Sequence, residues 1–177
     1  RSAEWVGYIK NTIAQVACNF TTNRMLSDYC RQYYVPQSRR SAEICGEDYR
    51  LAREISEWKN RVRLSWKNVE VVSYTQPDSS YVLSSENPMT AEVVLNIADL
   101  NPEDIGVEML FTSTDKKGER HIQEKVEFEF VSNNEGQVTY RTSVLPERTG
   151  MYQVATRIYP KNPLLPNRQD FPLVKWL

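Results

Sequence analysis

Two stretches decide the fold class: Glu92-Val93-Val94-Leu95-Asn96-Ile97 and Lys125-Val126-Glu127-Phe128-Glu129-Phe130. Both alternate in the way of a strand with one face in the core and one in water, because successive strand side chains point to opposite sides. Outward from them, residues 69–75, 90–97, 107–114, 126–131, 137–144 and 152–159 form runs rich in β-branched and aromatic residues. Residues 120–123 join the run that follows, and 171–177 read as a last edge strand. Turn chemistry separates the runs: Asn87-Pro88, Asn101-Pro102, Asp115-Lys116-Lys117-Gly118 and Asn133-Asn134-Glu135-Gly136. About seven short strands with no helical pattern between them predict an antiparallel, immunoglobulin-like β-sandwich, with an open barrel as the structural alternative.

Upstream of Trp66 the pattern changes. Val6, Ile9, Ile13, Val16, Ala17 and Phe20 form one apolar stripe at helical spacing, which predicts a first helix over 3–18. A second helix is expected from Thr21 or Thr22, whose hydroxyls can cap it, to Tyr34. Val35-Pro36 should end it, since the residue before proline is pushed out of the α region. A third helix is expected over 41–65, with Gly46 its weak point. Arg50–Glu54, Arg53–Glu57 and Glu57–Arg61 are spaced as i,i+4 ion pairs on its outer face. Only one of nine prolines, Pro36, lies before Trp66, so the composition predicts a domain boundary there: a helical segment 1–66 and a β-sandwich 67–177, α+β in class.

Charge narrows the partners. Residues 1–66 hold eleven Lys/Arg against seven Asp/Glu, and 67–177 hold eleven against sixteen. These balances of +4 and −5 are too mild and too dispersed for the basic stripe of a nucleic-acid binder. No apolar run approaches a membrane span, so the reading is no nucleic acid, no membrane and a cytoplasmic location. Cys18, Cys30 and Cys45 are odd in number and match no zinc spacing, which leaves them as small hydrophobes.

Catalytic patterns are missing. There is no G-x-S-x-G, no glycine-rich phosphate loop and no H-E-x-x-H, and the single histidine, His121, sits among charged residues in a strand. Glu127 and Glu129 fall on the solvent side of theirs. No catalytic, cofactor-binding or metal-ligating residue is assigned. Among the aromatics Tyr140 and Tyr152 belong to packing. Tyr81, in the loop Asp78-Ser79-Ser80-Tyr81, and Trp176, near the end, are the two read as carbohydrate contacts, since a Tyr or Trp ring offers an apolar face with a polar edge.

Glu4-Trp5, Ile13-Ala14, Phe20, Arg24-Met25, Tyr29 and Tyr33-Tyr34 occur with the residue types and spacing of the closing helices of α-glucan (glycogen/maltodextrin) phosphorylases. Gly150-x-Tyr152, Arg157, Pro160-x2-Pro163-Leu164-Leu165 and Lys175-Trp176 resemble the ending of the short bacterial and archaeal members. The resemblance implies a C-terminal portion of such an enzyme. Its parent would carry pyridoxal phosphate in a Rossmann-like catalytic lobe and phosphorolyse α-1,4-glucan to glucose 1-phosphate. The family's cofactor lysine and catalytic groups match no position here, so the chain alone is expected to be inactive. The expected partners are the rest of the catalytic domain and, because the helical stripes need cover, a second copy through residues 3–34. The alternative reading is a carbohydrate-binding module that tethers the parent to glycogen or starch.

Overall fold

The computed structural model describes residues 2–76, 82–83, 88–145 and 150–177. The chain divides into two compact units, Arg1–Glu54 and Ile55–Leu177. The composition change at Trp66 falls inside the second.

In the first unit α1 (Ser2–Asn11) widens into a π-helical stretch, Thr12–Ala17. The second helix, α2 (Thr22–Tyr29), begins at Thr21, whose hydroxyl accepts the Arg24 N–H at 3.2 Å. It too widens, over Cys30–Tyr34, and runs on as α3 (Val35–Ser65). The stop expected at Val35-Pro36 therefore does not occur. Proline has no N–H to donate and its ring crowds the carbonyl one turn back. A wide turn, in which the Val35 N–H reaches back to the Cys30 carbonyl, gives that ring room. The break comes at Gly46 instead, followed by left-handed backbone at Glu47, Asp48 and Tyr49. No side chain of α1, α2 or their wide turns is buried.

The second unit opens with the end of α3, whose Trp58, Val62 and Ser65 are buried. Ten strands follow among the described residues: β1 (Glu70–Thr75), β2 (Val82–Leu83), β3 (Met89–Asn96), β4 (Ile105–Thr114), β5 (Arg120–Glu127), β6 (Glu129–Asn134), β7 (Gln137–Val144), β8 (Gly150–Met151), β9 (Gln153–Pro160) and β10 (Lys175–Trp176). They form a sheet ordered β1-β3-β7-β6, a sheet ordered β10-β9-β4-β5, and the small pair β2-β8, with every pairing antiparallel. At the β6–β7 turn Glu135 and Gly136 both have positive φ, the conformation that a tight hairpin with the right-handed strand twist requires. Residues 171–177, expected as a strand, form one only at Lys175–Trp176.

The run Lys125–Phe130 is not one strand. The chain leaves β5 after Glu127, and Phe128 turns into the core with its N–H on the Val107 carbonyl at 2.8 Å. It then enters the other sheet as β6. Phe130 shares a face with its buried cross-strand partner Tyr140 but, on the edge strand, is 53 % exposed.

One hydrophobic core joins both sheets and the helix end: Val93, Leu95 and Val138 from one sheet, Val107, Met109 and Ile158 from the other, and Trp58, Val62 and Trp66 beneath. The central pairs β3–β7 and β4–β9 keep unbroken register. Three of the four edge strands do not. β1, β6 and β5 each carry one extra residue, Val72, Val131 and Gln123 respectively. A bulge twists an edge away from further pairing, and it explains why Val72 and Val131 stand exposed in otherwise apolar runs.

Candidate functional site

Asp104 is the buried polar hub of the second unit. Asn101-Pro102 opens a short 3-10 turn, and the Asp104 side chain folds back to accept the Asn101 N–H at 2.9 Å. Its other oxygen accepts the Trp58 indole N–H at 2.6 Å, and Arg61 lies 3.2 Å away. Arg61 was expected to pair with Glu57 on a solvated face; it pairs with Asp104. The Asp104 carbonyl accepts the Lys161 N–H. One residue, through its side chain and its carbonyl, thus binds the end of α3, the β3–β4 connection and the tail after β9. Helical spacing could not reveal a partner so far along the chain.

The outer face of the β10-β9-β4-β5 sheet carries a second cluster. Glu108 is buried and accepts from both Arg157 and Arg168. Arg168 lies 3.8 Å over the Tyr159 ring, and Arg157 lies 5.5 Å over the Trp176 ring. The Tyr159 hydroxyl donates to Glu127, which also pairs with Lys161 at 2.6 Å. Burial, then the Glu127 carboxylate, pushes the Tyr159 phenol far up. For Glu127 burial works upward, but Lys161, Tyr159 and Arg168 outweigh it and hold the carboxyl below its ordinary value. Two guanidiniums on one buried carboxylate can anchor and stiffen; they offer no nucleophile or base.

Between the 3-10 turn, the β5–β6 corner and the tail lies a cleft of about 430 Å³, walled chiefly by Ile105, Phe128, Phe130, Tyr140 and Pro163. Glu103, Glu127 and Lys161 stand at its rim. The Tyr140 hydroxyl donates to the Pro102 carbonyl at 2.8 Å.

Of the two aromatics read as carbohydrate contacts, Tyr81 lies outside the described residues. Trp176 sits in β10, 56 % exposed, with one ring face under Arg157. Among the described residues of this unit the other half-exposed aromatic, Phe130, belongs to the opposite sheet. Among the described residues the structure brings no second aromatic beside Trp176 to extend a stacking platform. His121 is exposed and hydrogen-bonded to Asp115 at 3.1 Å. Asp115 also accepts the Lys117 and Glu119 N–H groups, and its carboxyl is held low by these bonds, the Glu119 N–H foremost. That set organises the β4–β5 turn. The three cysteines are free and exposed, not the buried small hydrophobes that the sequence suggested, because the helices that carry them bury nothing within this unit.

A family model described as the glycogen phosphorylase C-terminal domain matches residues 66–177. The chain belongs to this family. The glycogen phosphorylase C-terminal domain here thus coincides with nearly all of the second unit, lacking only the stretch 55–65 that supplies Trp58 and Val62 to its core. The maltodextrin phosphorylase of Thermococcus litoralis is 26 % identical over 98 % of this chain. Glycogen phosphorylases of Mycobacterium bovis and Mycobacterium tuberculosis are 25 % identical over 96 %. The chain spans about a fifth of the length of each of these relatives. The likeness therefore includes the helical unit as well as the C-terminal domain, and it is a likeness to part of each phosphorylase rather than to a whole one.

Proposed function

We propose that this chain is the C-terminal part of a pyridoxal-phosphate-dependent α-glucan phosphorylase. In this reading the parent phosphorolyses an α-1,4-glucan to glucose 1-phosphate in the cytoplasm, and this part serves it as a structural and interaction region. The single observation that carries the reading is the coverage. Three phosphorylases align with nearly the whole chain, yet the chain matches only a fifth of each. The helical unit would be the closing helices of a Rossmann-like catalytic lobe, and the second unit an immunoglobulin-like sandwich that braces it.

Physical chemistry supports the division of roles. The helical unit exposes Trp5, Ile13, Phe20, Leu26 and Tyr34, each at least half in solvent. So many exposed large apolar side chains in one small unit belong against something. The remainder of the catalytic domain is the occupant this reading favours, with a second copy through residues 3–34 when that remainder is absent. No helix of the described residues is long and apolar enough to cross a membrane.

The test compares this chain with the longer product of its reading frame. Phosphorolysis of maltoheptaose and glycogen and the pyridoxal absorbance are measured for both. Cofactor binding and glucose 1-phosphate release by the longer product alone support the reading; a longer product with neither overturns it. The carbohydrate-tether alternative is less favoured, for want of a second aromatic beside Trp176. Retention of residues 55–177 on a glycogen affinity gel would restore it.

A further inference from the structure

The cleft behind the β5–β6 corner is lined by residues of the second unit alone. Its volume, about 430 Å³, lies in the range of small-molecule sites (roughly 300–1,000 Å³), and its walls are apolar and aromatic. Phe130 and Tyr140 meet edge to face, with centroids 6.3 Å apart at 74°. Phe130 is half exposed, so its ring is open to a ligand. The Tyr140 hydroxyl is already spent on the Pro102 carbonyl. Selectivity therefore rests on the charges at the rim.

Those charges do not balance. Lys161 Nζ is 2.6 Å from Glu127 Oε1, so that pair cancels. Glu103 makes no ion pair among the described residues. The other carboxylate near by, Asp104, is held by Arg61. After burial, Glu103 and Asp104 are what hold the Tyr140 phenol up, a sign that their negative field reaches the ring.

The geometry points to a binding site for a small organic cation, its ring or short apolar body against Phe130 and Tyr140 and its ammonium toward Glu103. A cation at an aromatic face gains from the ring quadrupole and here also from a carboxylate that has no ion-pair partner among the described residues. An anionic ligand of the same shape would meet Glu103 and would have to compete with Glu127 for Lys161. A neutral one would gain the apolar contact alone.

The test is an amide-resolved NMR titration of the full chain with benzylamine, benzyl alcohol and benzoate near pH 7. Saturable shifts at Phe130, Tyr140 and Lys161 are expected. Benzylamine should bind about fivefold to tenfold more tightly than benzoate, as one exposed cation–π contact and one screened ion pair would give. Glu103→Gln, a change at an exposed position, should erase most of that preference and leave benzyl alcohol unaffected. Lys161→Met should not weaken benzylamine, and Phe130→Ala should weaken all three probes. The amide spectrum reports in the same experiment whether each variant is folded. Absence of saturable shifts at the cleft overturns the site. Equal binding of amine and carboxylate, or a preference that survives Glu103→Gln, overturns its assignment to a cation.

Discussion

The two units use their apolar side chains in opposite ways. Ile55–Leu177 folds its apolar side chains into one core, with Val62, Val93, Leu95, Val107, Met109, Val138 and Ile158 fully or almost fully buried. Arg1–Glu54 leaves Trp5, Tyr8, Ile13 and Phe20 in solvent. Amphipathic periodicity is strong in both, so periodicity does not tell whether a face is closed within its own unit. A sheet pair supplies its own second layer; a few short helices with one common stripe do not. The strand-rich unit should therefore behave as an autonomous domain, and the helical unit as one half of an interface.

The largest effect should come from where the domain is cut. A chain beginning at Ile55 is expected to unfold cooperatively in guanidinium with an intact near-ultraviolet CD spectrum. A chain beginning at Lys67, close to the start of the family match, loses Trp58, Val62 and Trp66 and should lack that transition. Within the full chain, Trp58→Ala should cost about 3–5 kcal/mol, the usual range for deleting a buried Trp. Equal stability of the two truncations would break the comparison, since the helix end would then belong to the first unit.

Next in size is the hub. Asp104→Ala leaves the Trp58 indole N–H and the Arg61 guanidinium without their acceptor. Arg61 is partly exposed and can turn to water, so about 2–3 kcal/mol is expected rather than the full cost of a broken buried pair. Urea midpoints of the Ile55–Leu177 unit check this. Gly106→Ala tests the outer face of the second sheet. A Cβ there would lie 2.3 Å from the Tyr159 ring, so the ring must leave both Glu127 and its stacking on Arg168. Overpacking of this kind costs about 1–3 kcal/mol.

The helical unit should respond differently. Ile13→Asp should leave the melting of the second unit unchanged within error and should reduce concentration-dependent association in sedimentation velocity. A stability loss in the second unit would show that the stripe is not an open interface. The smallest effect is electrostatic. Glu127 titrates below its ordinary value in the fold, so its contribution is present above the ordinary carboxyl range and lost as pH falls through the lowered value. Glu127→Gln should flatten that acid limb of the stability curve. At alkaline pH the raised phenols of Tyr140 and Tyr159 act in the opposite sense. Their stabilisation is complete below the ordinary tyrosine value near 10 and declines as pH rises above it.

Much of this was legible in the chain. Alternation placed β3, enrichment in β-branched and aromatic residues placed β4 and β7, and turn residues placed most of their ends within one or two positions. Thr21 or Thr22 as a cap and Gly46 as the weak point both followed from local chemistry. What could not be read locally was of two kinds. At Lys125–Phe130 the alternation continues across a change of sheet, and only the Phe128 N–H on Val107 reveals the corner. At Val35-Pro36 a widened turn lets a helix pass a proline that ordinary α geometry would reject. The candidate sites share the same difficulty. Glu103 comes from the β3–β4 connection and Phe130 from β6; they meet only at the cleft, and neither has a sequence neighbour that marks it.

The sequence by itself determined the class, the strand-rich region from Val69 onward, the amphipathic helices before it and the likeness to phosphorylases, because each depends on spacing or on residue types along a few turns or strands. Tertiary structure alone decided that Trp58 and Val62 belong to the second unit, that Asp104 joins three distant segments, and that Val72, Gln123 and Val131 are bulges at sheet edges. Those outcomes rest on which segment packs beside which. Burial of a side chain is a property of its neighbours in space, and no local period encodes them.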